Sequence, residues 1–189
     1  NDNDEDCIET YKLNHPEVTK SRVFKEDIKT LIKKIDVKFH KKIDVVVGGP
    51  PCQGFSNVNQ QRIIDDPRNK LYKYFVQAVK KINPKIVVME NVKGMYPYAD
   101  QVKQDFEKIS YAMTYDVLVS DQFGVAQKRP RLFFIGIRED IIKKKKINIS
   151  DVFAEIKEET KKIKKLILKD ALAFIKPLVS PRIKNMTES

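Results

Sequence analysis

Ile43-Asp44-Val45-Val46-Val47-Gly48-Gly49-Pro50-Pro51-Cys52-Gln53-Gly54-Phe55-Ser56 is the stretch that decides the fold. The β-branched run from Val45 to Val47 has no alternating polar residue, as in a strand covered on both faces. Two glycines and two prolines follow at once, so the strand stops abruptly and delivers one cysteine to its carboxyl end. Open α/β sheets place their chemistry at that edge. A thiol held on a rigid turn there is a candidate nucleophile, although a lone cysteine taken by itself is most often a small buried apolar residue.

Downstream, Gln53 to Lys70 is polar, and so long a polar loop within a domain is usually functional or mobile. Tyr72, Phe75, Val76 and Val79 give Leu71 to Ile82 a helical period, which Asn83-Pro84 stops. Ile86 to Met89 reads as a second apolar strand ending in Glu90-Asn91-Val92, so a carboxylate also sits at a strand tip. A helix from about Asp100 to Tyr111 and a strand from Tyr115 to Val119 are predicted next. The loop Ser120 to Pro130 then carries Gln127-Lys128-Arg129-Pro130-Arg131 into a last strand, Leu132 to Ile137. Upstream, the acidic residues Asn1 to Asp6 suit a strand end followed by a helix N-terminus. Ile8, Tyr11 and Cys7 form an apolar stripe that places Cys7 in the core, and Val23 to Ile28 reads as a short strand before a helical turn through Leu31, Ile32 and Ile35. Alternating strands and helices predict an α/β doubly wound sheet.

Beyond Arg138 the character changes. Lys143 to Lys146 is a basic run, Ser150 to Ile175 reads as one helical segment, and Pro177 and Pro181 break the pattern. Residues 1–140 are therefore expected to form the core, and 141–189 a basic helical extension and linker whose lysines are read as a solvated face. With 189 residues the chain has room for one substantial domain, and a net charge of +11 favours a polyanionic partner such as nucleic acid as much as it serves solubility. Two cysteines without paired spacing and two isolated histidines suggest neither a disulfide scaffold nor a metal site, and fit a reducing cytoplasm. No apolar run approaches the length of about 18 residues that spans a bilayer, so no membrane association is expected. The chain begins at Asn1 rather than Met, and further residues are expected upstream.

Three strand-tip features, Pro50-Pro51-Cys52-Gln53, Glu90-Asn91-Val92 and Gln127-Lys128-Arg129-Pro130-Arg131, resemble in this order the signature motifs of the cytosine-5 DNA methyltransferases. The resemblance spans about Asn1 to Ile137 and implies a Rossmann-like methyltransferase sheet, mostly parallel with an antiparallel strand near its C-terminal end. It implies Cys52 as the covalent nucleophile, Glu90 as the group on the cytosine N3, Arg131 on O2, and Arg129 ordering the pocket. The methyl donor it implies is S-adenosylmethionine, with Asp2 on the ribose, Asp27 and Ile28 near adenine, and Pro50 and Leu71 lining the pocket. Gln53, Ser56 and Arg68 fall at positions that contact nucleic acid. Double-stranded DNA is the implied partner, in a restriction-modification setting, with a prokaryotic-type cytoplasmic location preferred over a nuclear one.

The sequence also departs from that pattern. No Phe-x-Gly-x-Gly motif is present, and nothing after Ile137 resembles a target-recognition domain. Ala126 stands where the family usually has proline, and Pro130 where it often has glutamate. The chain is therefore expected to be the central catalytic part of such an enzyme, completed by another chain segment or a second polypeptide. The alternatives are a transfer-RNA cytosine-5 methyltransferase, although that branch tends to carry Pro-Cys-Gln-Pro-Phe-Thr, and a catalytically inactive nucleic-acid-binding fragment.

Overall fold

A computed structural model describes residues 1–19, 22–35, 43–51 and 71–174. Four strands, β1 (Val45–Gly48), β2 (Ile86–Val92), β3 (Tyr111–Val119) and β4 (Pro130–Arg138), form one sheet in the order β1-β2-β4-β3. β1 and β2 are parallel, whereas β4 runs antiparallel to both β2 and β3. Three strands thus share one direction and β4 opposes them, as the resemblance implied. The carboxyl ends of β1, β2 and β3 consequently lie at the same edge as the amino end of β4.

Seven helices accompany the strands among the described residues: α1 (Glu5–Asn14), α2 (Ile28–Lys34), α3 (Leu71–Ile82), α4 (Ala99–Glu107), α5 (Glu139–Lys145), α6 (Val152–Thr160) and α7 (Leu168–Ala171). In α3 the buried residues Tyr72, Val76 and Val79 recur at the 3.6-residue period and pack on one face of the sheet with Val102 and Phe106 of α4. The sheet answers with Val87 and Met89 of β2, Tyr111 and Met113 of β3, and Leu132 and Phe134 of β4. Burying each such side chain contributes about 1.5–3 kcal/mol. Gly48 is needed where β1 passes this layer, because a Cβ there would lie 2.4 Å from the Phe75 ring.

Several boundaries differ from those expected. β3 starts at Tyr111 rather than Tyr115, because β4 pairs with it along its whole length, from Tyr111↔Arg138 to Val119↔Pro130. The expected strand over Val23 to Ile28 is reduced to a single parallel bridge, Asp2↔Lys25. Asp27 ends it by accepting the Lys29 N–H at 2.7 Å and capping α2. The long helix expected over Ser150 to Ile175 breaks after Thr160, where the N–H groups of Lys161, Lys162 and Ile163 bond three residues back and tighten the last turn. Cys7 is exposed, not in the core: α1 turns only Ile8 inward. The carboxylate of Asp4, and behind it burial and Asp2, push the Cys7 thiol up, so this cysteine is a poor thiolate.

One buried polar contact ties the layers together. Tyr111 is 1% exposed and its hydroxyl donates to the Pro84 carbonyl in the turn between α3 and β2. Burial pushes the Tyr111 phenol up to about 12. A raised phenol contributes stability below the ordinary pKa of about 10, and that contribution is lost as pH rises from there toward 12. Tyr111→Phe should therefore cost about 1–2 kcal/mol at neutral pH by urea denaturation, with the gap to the wild-type protein closing between pH 10 and 12. A gap independent of pH in that range would contradict the assignment.

Candidate active site

The shared edge of the sheet gathers the chemistry. In the antiparallel register Val92 of β2 lies opposite Arg131 of β4, and Glu90 lies opposite Phe133. Glu90 and Arg131 are thus diagonal neighbours on one face, within reach of long side chains. Arg131 Nε donates to Glu90 Oε1 at 2.9 Å, and Arg131 Nη1 donates to the Pro130 carbonyl at 2.9 Å. Both side chains are half-buried, at 22% and 38% exposure, so the pair remains open to a ligand. The chain leaving β1 closes on the same spot: a Cβ on Gly49 would lie 3.3 Å from Glu90 Oε2.

On the opposite face of β2, Asn91 is buried. Its Nδ2 donates to the Pro50 carbonyl at 3.2 Å, and its Oδ1 accepts the Val92 N–H at 2.8 Å. Pro50 is half-buried and held beside the tip of β2, and Pro51 is exposed. Cys52, Gln53, Ser56 and Arg68 lie outside the described residues.

Arg131 reaches Glu90 from the start of β4, just after a loop tied off by Ser120. The Ser120 hydroxyl accepts the Arg129 N–H at 3.1 Å and donates to the Gln127 carbonyl, while its own N–H donates to the Arg129 carbonyl at 3.3 Å. Gly124 turns this loop at φ 74°, a left-handed conformation that glycine adopts without a Cβ penalty. The Arg129 side chain is exposed, so the fold holds this residue by its backbone. Pro130 begins β4, where its missing N–H costs least.

The residues expected to bind the methyl donor fall into two groups. Asp2 and Lys25 form the bridge that brings the two N-terminal segments side by side, with Asp27 two residues beyond it. Asp2 Oδ1 accepts the Asp4 N–H at 3.0 Å, and Asp27 Oδ1 accepts the Lys29 N–H. Both carboxylates are exposed and Ile28 is half-buried, an arrangement suited to ribose hydroxyls beside an apolar adenine face. Pro50 stands at the β2 tip and Leu71 opens α3. Sequence reading gave no role to Asn91, Gly49 or Ser120. Only the side-chain identity of Asn91, inside a motif, could have signalled it.

A family model of C-5 cytosine-specific DNA methylases matches residues 1–187. The chain belongs to that family. It is 38% identical over 143 residues to the type II methyltransferase M1.HphI of Haemophilus parahaemolyticus, covering 69% of this chain and 37% of that protein. The type II methyltransferase M.FnuDI of Fusobacterium nucleatum is 35% identical over 146 residues, covering 75% of this chain and 40% of that protein. A crystal structure described as a DNA modification methyltransferase encoded within an E. coli prophage superposes with a TM-score of 0.70 at 30% identity, covering 94% of this chain and 48% of the other. This C-5 cytosine methylase chain thus spans less than half the length of these relatives.

The Ser120 tie generates a prediction. Ser120→Ala should speed backbone amide exchange across residues 124–129, while global stability falls by only about 1 kcal/mol. Unchanged exchange in that segment would mean that other contacts hold the loop.

Proposed function

We propose that this chain carries the central catalytic part of a DNA cytosine-5 methyltransferase, and that Cys52, Glu90 and Arg131 perform the chemistry on a cytosine turned out of the duplex. The observation that carries this reading is the Glu90–Arg131 pair, at 2.9 Å, on the edge where β1 delivers the segment ending in Cys52. Carbon 5 of cytosine is a poor nucleophile until something adds at carbon 6. The Cys52 thiolate supplies that addition, forming a C6–S bond as the C5–C6 double bond opens. Glu90 holds a proton at ring N3, which draws electron density from C6. Arg131 leaves Glu90 to donate to O2, so the incoming base replaces the ion pair with contacts along its own edge. Arg129 orders the pocket from the loop that Ser120 fixes.

S-adenosylmethionine, when bound, supplies an electrophilic methyl group. Asp2 and Asp27 would hold its ribose and adenine end, with Ile28, Pro50 and Leu71 as apolar walls. Loss of the C5 proton afterwards restores the C5–C6 double bond and expels the Cys52 thiolate. A base within duplex DNA cannot reach such a site, so the base must be flipped out at a cost of a few kcal/mol. Gln53, Ser56 and Arg68 contact the opened strand in this reading, and the net charge of +11 adds counterion release. The type II methyltransferase relatives favour a role in bacterial restriction-modification, in the cytoplasm. Completion by a further chain segment or a second polypeptide is part of this proposal.

The test is a duplex containing 5-fluorocytosine, where fluorine cannot leave as a proton does and the adduct persists. The complete enzyme carrying this chain should form a covalent complex that Cys52→Ala abolishes, and Glu90→Gln should slow methyl transfer to ordinary cytosine by about 10²–10⁴-fold with DNA binding retained. A complex that survives Cys52→Ala, or methylation confined to transfer RNA, would overturn the reading.

A further inference from the structure

The parallel ladder between β1 and β2 ends at Gly48↔Met89. Two residues later the chain reaches Pro50, which has no N–H and cannot extend the ladder. The carbonyl of Pro50 nevertheless needs a partner beside the buried strand end. That partner is a side chain, the Asn91 Nδ2 at 3.2 Å. Asn91 is 3% exposed and the sole buried polar residue among those described. Its other end is also engaged, since Oδ1 accepts the Val92 N–H at 2.8 Å, and this second bond fixes the rotamer that aims Nδ2 at Pro50. Across the strand, Gly49 approaches Glu90, where a Cβ would stand 3.3 Å from Oε2. The departing chain thus passes close to Glu90 on one face of β2 and is bonded to Asn91 on the other.

We propose that Asn91 is a positioning residue of the methyl-transfer site, fixing the Pro50 carbonyl and thereby setting where the chain delivers the thiol of Cys52 relative to Glu90 and Arg131. This inference rests on the reading of Cys52 as the nucleophile. Two residues of chain span at most about 7 Å, so the Pro50 anchor limits the reach of Cys52 directly. A buried asparagine suits the task better than a serine or an aspartate. Its amide donates to the carbonyl and accepts from the N–H at once, and it brings no charge into the core. Asn91 itself touches no reacting atom in this account.

The complete enzyme carrying this chain tests the proposal, with adduct formation on 5-fluorocytosine duplex and non-covalent affinity for ordinary duplex measured separately. Asn91→Ser should slow the adduct step by about tenfold to a hundredfold, as a misplacement near 1 Å does, while the dissociation constant for duplex stays within about twofold. Asn91→Leu is the second variant. It keeps nearly the same volume, buries no charge and cannot donate to Pro50, so it should show the same separation of adduct rate from affinity even if Asn91→Ser fails to fold. Wild-type adduct rates in a folded variant, or equal losses in rate and affinity, would overturn the proposal while the wild-type adduct upholds the Cys52 reading. A wild-type enzyme that traps no adduct would overturn both.

Discussion

Side chains on a strand alternate between faces, so the pairing register of two strands decides which residues can meet. Here the antiparallel register of β2 with β4, running from Ile86↔Ile137 to Val92↔Arg131, carries that decision for the whole site. A slip of one residue would send Arg131 toward the packed core layer and Leu132 out of it, separating Arg131 from Glu90. The core holds the register in place. Val87 and Met89 of β2, with Leu132 and Phe134 of β4, all point to the same buried layer. The apolar packing that stabilises the protein thus also aligns its charged pair. Because β4 is antiparallel, it presents its amino end at the edge where β1 and β2 present their carboxyl ends.

Much of this architecture was legible from the amino-acid sequence, for identifiable reasons. The helix over Leu71–Ile82 has the expected bounds because its apolar period is strong and Asn83-Pro84 stops it. The strands through Val45, Ile86 and Leu132 were readable from their β-branched and aromatic content, but β1 is not covered on both faces as expected, since Val45 and Val47 are exposed at the end of the sheet. The first residues of β3 were not readable in this way. Ala112 and Met113 interrupt the strand-favouring Tyr111 and Thr114, and the pairing with β4 sets the conformation of all four. The segment after Ser150 failed for the opposite reason, since helical periodicity continued past Thr160 where the backbone did not.

The site itself divides along similar lines. Glu90 and Arg131 were identifiable because they belong to short motifs, and their meeting in space follows from strand order. The contacts of Asn91 and Ser120 were hidden because each reaches a backbone atom of another residue, and that of Gly49 because it is a close approach to the Glu90 side chain. Such contacts leave no pattern in composition or spacing. They depend on where a loop leaves its strand, which only the three-dimensional arrangement reveals. Cys7 makes the converse point. Its place beside Ile8 suggested burial, yet a helix displaces neighbouring residues by about 100°, and one position was enough to bring it to the surface among carboxylates.

β2 has a further consequence for how such a protein can change. Its odd-numbered residues Val87, Met89 and Asn91 serve the interior, and its even-numbered residues Val88, Glu90 and Val92 face the other way. Chemistry and folding therefore interleave along seven residues while remaining on separate faces. Glu90 is half-exposed and paired with Arg131, so a substitution there acts on that pair and not on the packed layer. Asn91, one residue further along, is buried and bonded to the Pro50 carbonyl, so a substitution there meets the interior instead.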